Sequence, residues 1–134
     1  MLAAVTTPLL CVGIAFLLIY LPKIPLSVAM GKQPEGYDNK DPRGQQAKLT
    51  GWGQRARNAH ANAFESFPAF AASVFVAHLG HGNEKYAAIL AITYCVARAI
   101  YPLIYMANLG TARSGVWTIG FGATCGLFAL PLLG

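Results

Sequence analysis

The stretch RARNAHANAFESFPAFAASVFVA, residues 55–77, begins as a basic, polar segment and ends as an apolar one. A carboxylate, Glu65, and an amide, Asn62, stand where the apolar part begins, beside Phe64 and Phe67. Ionisable groups at membrane depth are costly and usually mark a functional site or a charged pair. This stretch therefore predicts a membrane helix that carries a polar site near one end.

The composition indicates an integral membrane protein. Hydrophobic residues make up 55% of the 134-residue chain and charged residues only 11%, whereas a soluble domain carries about 25% charged residues. A membrane-crossing helix needs about 20 apolar residues. We predict one domain, residues 1–134, with spans at 3–22, 56–79, 86–107 and 113–132. The first is expected to be a transmembrane helix because it lacks the basic start of a signal peptide.

The distribution of charge argues against nucleic-acid binding. The net charge is +5, but seven of the ten Lys and Arg residues lie between the first two predicted spans. Such an excess is typical of a cytoplasmic segment, and orientation and attraction to lipid explain its charge. We therefore predict a cytoplasmic loop at residues 23–54, with both termini facing outward. Its Gly, Pro, Asn and Asp content predicts irregular structure, beginning where Pro22 and Pro25 end the first helix.

Four helices with short connections predict an all-α fold, a left-handed up-down-up-down four-helix bundle. Pro68 is expected to kink the second helix near Glu65. The three cysteines lie in separate spans without metal-ligand spacing, which favours a packing role. A metal site at the histidines of the outward turn is a weak alternative, so no metal is predicted. The cysteines are Cys11, Cys95 and Cys125, and the residues of the outward turn are His78, His81 and Glu84.

The second helix carries a polar stripe. At about 100° per residue, Asn58, Asn62 and Glu65 fall within about 60° of one another, and Arg57 lies about 80° from Glu65, beside the stripe. His60 points about 140° away. For this histidine a structural role or a contact between subunits is favoured over that of a catalytic base.

The third helix carries a matching stripe of Arg98, Tyr101 and Tyr105. A Glu65–Arg98 pair is the simplest way to satisfy both charges. The pair could serve only to fix the helix register, and the tyrosines could serve only packing. Alternatively, with Arg113 at the same end, the two stripes form a cleft for a zwitterionic, carboxylate-rich small molecule. An arginine near a thiol would also favour its thiolate form.

Two segments carry a family resemblance. RARNAHANAFESFPAF resembles the second-helix signature of the MAPEG family, membrane-associated proteins in eicosanoid and glutathione metabolism. ARAIYPLIYMANLGTARS resembles the signature of the third helix and the start of the fourth. The resemblance covers essentially the whole chain and is to bacterial-type members similar to microsomal glutathione transferases. It implies a homotrimer in a bacterial inner membrane, with glutathione bound between subunits near the cytoplasmic face.

The resemblance also implies residue roles. Arg113 corresponds to the arginine that stabilises the glutathione thiolate, and it is the predicted catalytic residue. Two features depart from the family pattern: Asn58 replaces a second arginine, and the spacing from Tyr105 to Arg113 differs by one residue from some members. The predicted substrate-binding residues are Arg57, His60, Asn62, Glu65, Arg98, Tyr101 and Tyr105.

The resulting functional hypothesis is a glutathione-dependent membrane transferase or peroxidase. Its hydrophobic electrophile would enter from the bilayer. The alternative is a non-enzymatic bundle that serves as an accessory or lipid-binding subunit of a larger membrane complex. A transporter or channel is weaker, because four spans with one buried ion pair do not make a permeation path.

Overall fold

The computed structural model describes residues 5–133, and these residues form helices and turns without a β-strand. A 3-10 turn, Leu130–Leu132, follows the last helix. The all-α class predicted from the sequence is therefore confirmed. The six α-helices, in chain order, are α1 Thr7–Ile19, α2 Lys23–Gly31, α3 Pro42–Lys48, α4 Gly51–Leu79, α5 Glu84–Met106 and α6 Gly110–Ala129.

Three helical segments are long and apolar enough to cross a membrane. They are Thr7–Gly31, Glu84–Met106 and Gly110–Leu132. Helix α4 has 29 residues and is about 43 Å long at 1.5 Å per residue, which exceeds the roughly 30 Å of a bilayer core. It does not reach the hydropathy of the other three, because residues such as Asn62 and Glu65 interrupt its apolar run. The chain is thus a membrane protein with three candidate spans, and a fourth span along α4 stays a prediction.

The first helical segment differs from the prediction. Helix α2 follows α1 after a short turn, in which the Lys23 N–H donates to the Tyr20 carbonyl and the Leu26 N–H to that of Pro22. Pro22 is the N-cap of α2, and Pro25 lies in its first turn, where a missing N–H breaks no helical hydrogen bond. The first helix thus ends at Ile19, next to these prolines as predicted, but a second helix follows it directly instead of an irregular loop.

The segment 23–54 is also less irregular than predicted. Helix α2 covers its first nine residues, and the seven-residue α3 forms further along. The Asp41 side chain caps α3 by accepting a hydrogen bond from the Gly44 N–H at 3.0 Å, and Pro42 supplies the pre-set backbone angle at the first helical position. Only the parts between these helices match the irregular loop that the composition predicted.

Helices α4 and α5 form the centre of the structure. Helix α4 packs against α1, α2, α5 and α6, and α5 packs against α1 and α6 as well. Close approach depends on small residues: a Cβ at Gly126 would lie 3.0 Å from the Leu90 side chain. Interfaces between membrane helices commonly use such residues. Helix α4 continues through Pro68 without a break.

The cysteines divide into two groups. Cys11 and Cys95 are buried, whereas Cys125 is exposed on the single chain. The Cys95 thiol donates a hydrogen bond to the Cys11 carbonyl at 3.4 Å, which links α1 to α5. The predicted packing role thus fits the first two, while Cys125 faces the outside of this chain.

Candidate functional site

The centre of the site is a buried arginine. Arg98 on α5 is only 6% exposed, and its Nη1 donates a short hydrogen bond of 2.7 Å to the Asn62 side-chain oxygen on α4. Its Nε is buried and has no hydrogen-bond partner among residues 5–133. Burying a charged donor without a partner is costly, so the site holds hydrogen-bonding capacity that the described residues do not use.

The predicted pair between Arg98 and Glu65 is not formed. Arg98 binds the amide of Asn62 instead, although Glu65 borders the same pocket. The two α4 residues lie three positions apart on one helical face, so the arginine meets Asn62 nearly one turn earlier. The Glu65 side chain is exposed in the single chain, which leaves its carboxylate available to a ligand.

Two arginines and two tyrosines form a continuous row along α5 and the start of α6. The Arg98 guanidinium lies 4.8 Å from the centre of the Tyr101 ring, and the Tyr101 and Tyr105 rings meet edge to face at 5.7 Å. The Arg113 guanidinium lies 4.5 Å from the centre of the Tyr105 ring. Contacts of this kind hold a cation over an aromatic face, so the row fixes both arginines along one side of the bundle.

A pocket of about 230 Å³ opens beside Arg98, between α4, α5 and α6. Most of its polar side chains belong to α4 and α5. Helix α6 contributes Trp117 and Phe121, whose rings stack at 5.1 Å and are partly exposed. The lining residues are Asn62, Glu65, Ser66, Ala69, Tyr94, Arg98, Trp117, Phe121 and Thr124. The pocket therefore combines a cation, a carboxylate and an amide with an aromatic wall.

Tyr94, which the sequence analysis did not single out, packs next to Arg98 on the same helix. Its hydroxyl lies 3.0 Å from the Ser66 hydroxyl, and its ring stacks on Phe70 with centroids 3.7 Å apart. The Arg98 guanidinium lies 5.6 Å from the centre of the Tyr94 ring. The available signal was spacing, because Tyr94 precedes Arg98 by four residues and shares its helical face.

A glycine on α6 makes room for the guanidinium. A Cβ at Gly120 would lie 3.3 Å from Arg98 Nη2 and 3.6 Å from the Ala97 side chain. Helix α6 therefore approaches α5 closely at the level of the site. Nothing in the sequence singled out this glycine among the 14 in the chain.

Two of the predicted binding residues lie elsewhere. Arg57 and His60 border a different pocket, together with Lys23 and Arg43. The His60 Nδ1 lies 2.8 Å from the Ile19 carbonyl, so this nitrogen donates and the side chain ties α4 to the end of α1. The favoured structural role of His60 agrees with this contact. Within one chain Arg57 and His60 do not line the pocket beside Arg98, and their assignment to a glutathione site between subunits stays a prediction.

The ends of the helices show which groups share one side of the bundle. Arg55 Nε donates to the Met106 carbonyl at 3.1 Å, which joins the start of α4 to the end of α5. Arg113 lies in the first turn of α6, just beyond that end.

At the other end of the bundle, His78 and His81 border a pocket of about 220 Å³. No group of three or more His, Cys, Asp or Glu side chains within residues 5–133 could hold a metal ion.

The fold and the site define a small helical membrane protein with a polar cleft between helices. The sequence model of the MAPEG family matches residues 7–133, nearly the whole chain, and the protein belongs to that family. It is thus a member of a family of membrane proteins of glutathione and eicosanoid metabolism. Comparison with curated proteins and with solved structures finds no match.

Proposed function

We propose that the protein is a glutathione-dependent membrane transferase or peroxidase that acts on hydrophobic electrophiles. The observation that carries this proposal is the Arg98 side chain, which lines the pocket, is largely buried and, among residues 5–133, donates a hydrogen bond only to Asn62. An arginine fork binds carboxylates in a bidentate manner. Glutathione carries two carboxylates and one ammonium group, so it offers partners for both charges of the cleft.

In this proposal each charged residue of the cleft binds the group of glutathione that has the opposite charge. Arg98 would hold a carboxylate of glutathione, and Asn62 would keep the guanidinium in place through its 2.7 Å hydrogen bond. Glu65, which borders the same pocket, would accept hydrogen bonds from the ammonium group. Tyr101 and Tyr105 would line the path towards Arg113.

Arg113 supplies the chemistry in this proposal. A positive charge within hydrogen-bonding reach of a thiol lowers its pKa and favours the thiolate. The thiol proton leaves to solvent, and a sulfur lone pair forms the new bond to the electrophilic carbon. The leaving group departs with the electrons of the bond that breaks. The stacked Trp117 and Phe121 give the electrophile an apolar approach from the bilayer side.

We further propose that the working unit is a homotrimer of left-handed four-helix bundles, with α4 as the fourth span and both termini outside a bacterial inner membrane. The pocket of about 230 Å³ in one chain is smaller than the roughly 300 Å³ at the lower end of ligand sites. Its rim is exposed at Glu65, Trp117 and Phe121. A neighbouring subunit packed on this rim would enlarge and close the site.

Titration of the purified protein in lipid nanodiscs tests the proposal. We expect saturable glutathione binding and an ultraviolet thiolate band near neutral pH. Arg113→Ala should keep most of the binding but lower the thiolate fraction about tenfold, since losing one nearby cation raises a pKa by about 1 or more. Lys85→Gln, at the exposed opposite end of α5, is the matched control. Wild-type protein with neither binding nor a thiolate band would reject the proposal in favour of a non-enzymatic accessory role.

A further inference from the structure

A second polar contact joins α4 to α5 next to the hydrogen bond between Asn62 and Arg98. The hydroxyls of Ser66 on α4 and Tyr94 on α5 lie 3.0 Å apart. Ser66 follows Asn62 by four residues along α4. Tyr94 precedes Arg98 by four residues along α5, which runs in the opposite direction after a short turn. The two contacts are therefore about 6 Å apart along one interface, and together they fix the height of α5 relative to α4.

The hydroxyl of Tyr94 is committed to this interface. The Ser66 hydroxyl donates to the Ala63 carbonyl at 3.2 Å, and a hydroxyl carries only one hydrogen. The Tyr94 hydroxyl is therefore the donor in its contact with Ser66. Tyr94 is only 2% exposed, so its influence on the pocket comes through its ring rather than through a free O–H group.

The ring of Tyr94 has one fixed orientation. It stacks on the Phe70 ring with centroids 3.7 Å apart and planes only 2° from parallel, and Phe70 is fully buried. The hydrogen bond to Ser66 holds the far end of the same ring. Stacking and hydrogen bonding thus restrain both the tilt and the reach of this side chain.

The Arg98 guanidinium lies between two tyrosine rings of its own helix. It is 5.6 Å from the centre of the Tyr94 ring and 4.8 Å from the centre of the Tyr101 ring. A cation is attracted to the face of an aromatic ring, and more strongly where water is excluded. On α6, Gly120 approaches the guanidinium so closely that an added Cβ would lie 3.3 Å from Nη2. These contacts set the direction of the guanidinium before any ligand arrives.

We propose that Tyr94, held by Ser66 and Phe70, is a positioning residue for carboxylate recognition by Arg98. The inference rests on the proposed function, in which Arg98 binds a carboxylate of glutathione. Bidentate binding requires the planar fork in one orientation, and a long side chain that is free to rotate loses that freedom on binding. The Tyr94 ring removes this loss in advance, so it strengthens the binding of a carboxylate through Arg98 and leaves the reacting atoms untouched.

A comparison of two ligands tests this role by isothermal titration calorimetry on protein in nanodiscs. The ligands are glutathione and its diamide, in which both carboxylates are carboxamides. Wild type should bind glutathione at least tenfold more tightly than the diamide. Tyr94→Leu should weaken glutathione binding about tenfold and leave the affinity for the diamide unchanged. Tyr86→Leu is the matched control, because Tyr86 is 57% exposed on the same helix and lies outside the pocket.

Two milder variants keep the ring and remove only the hydrogen bond. Tyr94→Phe and Ser66→Ala should each weaken glutathione binding about threefold. Because they remove the same contact, the double variant should be no weaker than either one. The SDS unfolding midpoint of each protein confirms that it is folded, and these variants decide the question if Tyr94→Leu is not.

Three results would overturn the role of Tyr94 while the proposed function stands. They are unchanged glutathione affinity in the Tyr94 and Ser66 variants, an equal loss of affinity for glutathione and diamide in Tyr94→Leu, and additive losses in the double variant. The second of these would assign Tyr94 a general structural role. Absence of glutathione binding by wild type is a different outcome, because it rejects the proposed function and this inference together.

Discussion

The choice of partner for Arg98 makes a quantitative prediction about stability. The structure pairs this arginine with Asn62 at 2.7 Å and leaves Glu65 exposed on the rim of the pocket. Asn62→Leu should therefore destabilise the protein, whereas Glu65→Leu should have little effect. The sequence-based pairing of Glu65 with Arg98 predicts the opposite order.

The expected magnitudes are well separated. Hydrogen bonds to charged groups contribute about 1.5–3 kcal/mol in soluble proteins, and those between membrane helices reach about 1.7 kcal/mol. Because Arg98 already has one unpartnered nitrogen, Asn62→Leu should cost about 2 kcal/mol. Glu65→Leu should change the free energy of unfolding by less than about 0.5 kcal/mol, as for other exposed positions. Breaking a buried Glu65–Arg98 pair would instead cost about 3–5 kcal/mol.

A double-mutant cycle in mixed micelles, with unfolding followed during addition of SDS, measures the pairing directly. Arg98→Met removes the charge that Asn62 satisfies, so Asn62→Leu/Arg98→Met should recover most of the loss. We expect a coupling energy of about 2 kcal/mol between positions 62 and 98. Additive effects at these positions, or a larger coupling between 65 and 98, would refute the assigned hydrogen bond.

Three further predictions concern the surroundings of the site and the polar segment. Tyr94→Phe keeps the stacked ring but removes the 3.0 Å hydroxyl contact with Ser66, so the free energy of unfolding should fall by about 1 kcal/mol; no loss in SDS titration would contradict this contact. Gly120→Val places side-chain atoms against Arg98 and should weaken glutathione binding about tenfold by calorimetry, whereas unchanged affinity would show that the guanidinium has room to move. The pKa of Asp38 is lowered by backbone N–H donors, so its stabilisation of the segment is present above the unfolded pKa of about 3.9 and is lost as the pH falls through the lower folded value. Hydrogen exchange at the Lys40 amide should accelerate there relative to an unfolded peptide, and Asp38→Asn should abolish that pH dependence.

Much of the membrane architecture was predictable from local features of the sequence. Three long uncharged or nearly uncharged runs predict three of the helices because bilayer thickness alone sets the length that they need. The shared faces of Arg98, Tyr101 and Tyr105 follow from helical periodicity, and the structure places these residues in one row.

The partner of Arg98 was not predictable in the same way. Asn62 and Glu65 lie within about 60° on one helix, so direction does not distinguish them. The choice depends on the relative height of α4 and α5, which the turn between the helices and the packing of Tyr94 on Phe70 determine. Those are contacts between distant parts of the chain.

The segment before α4 shows a second limit. Pro22 and Pro25 were interpreted as the end of the first helix, which does stop at Ile19, but proline is equally suited to a helical first turn, and these prolines also begin α2. The surroundings of Arg57 depend on where α3 places Arg43, and that position is a tertiary contact rather than a local preference. Helical angles separated His60 from the polar stripe correctly, while the identity of its partner, the Ile19 carbonyl, required the packed structure.

The most direct test of the proposed function is glutathione affinity measured by isothermal titration calorimetry on protein in nanodiscs. Wild type, Arg98→Leu and the Lys85→Gln control would be compared after each is confirmed to be folded by its SDS unfolding midpoint. We expect saturable binding by wild type and control, and a loss of at least tenfold in affinity for Arg98→Leu, since the fork that holds a carboxylate is gone. Equal glutathione affinity in wild type and Arg98→Leu would contradict the assignment of the cleft as the binding site.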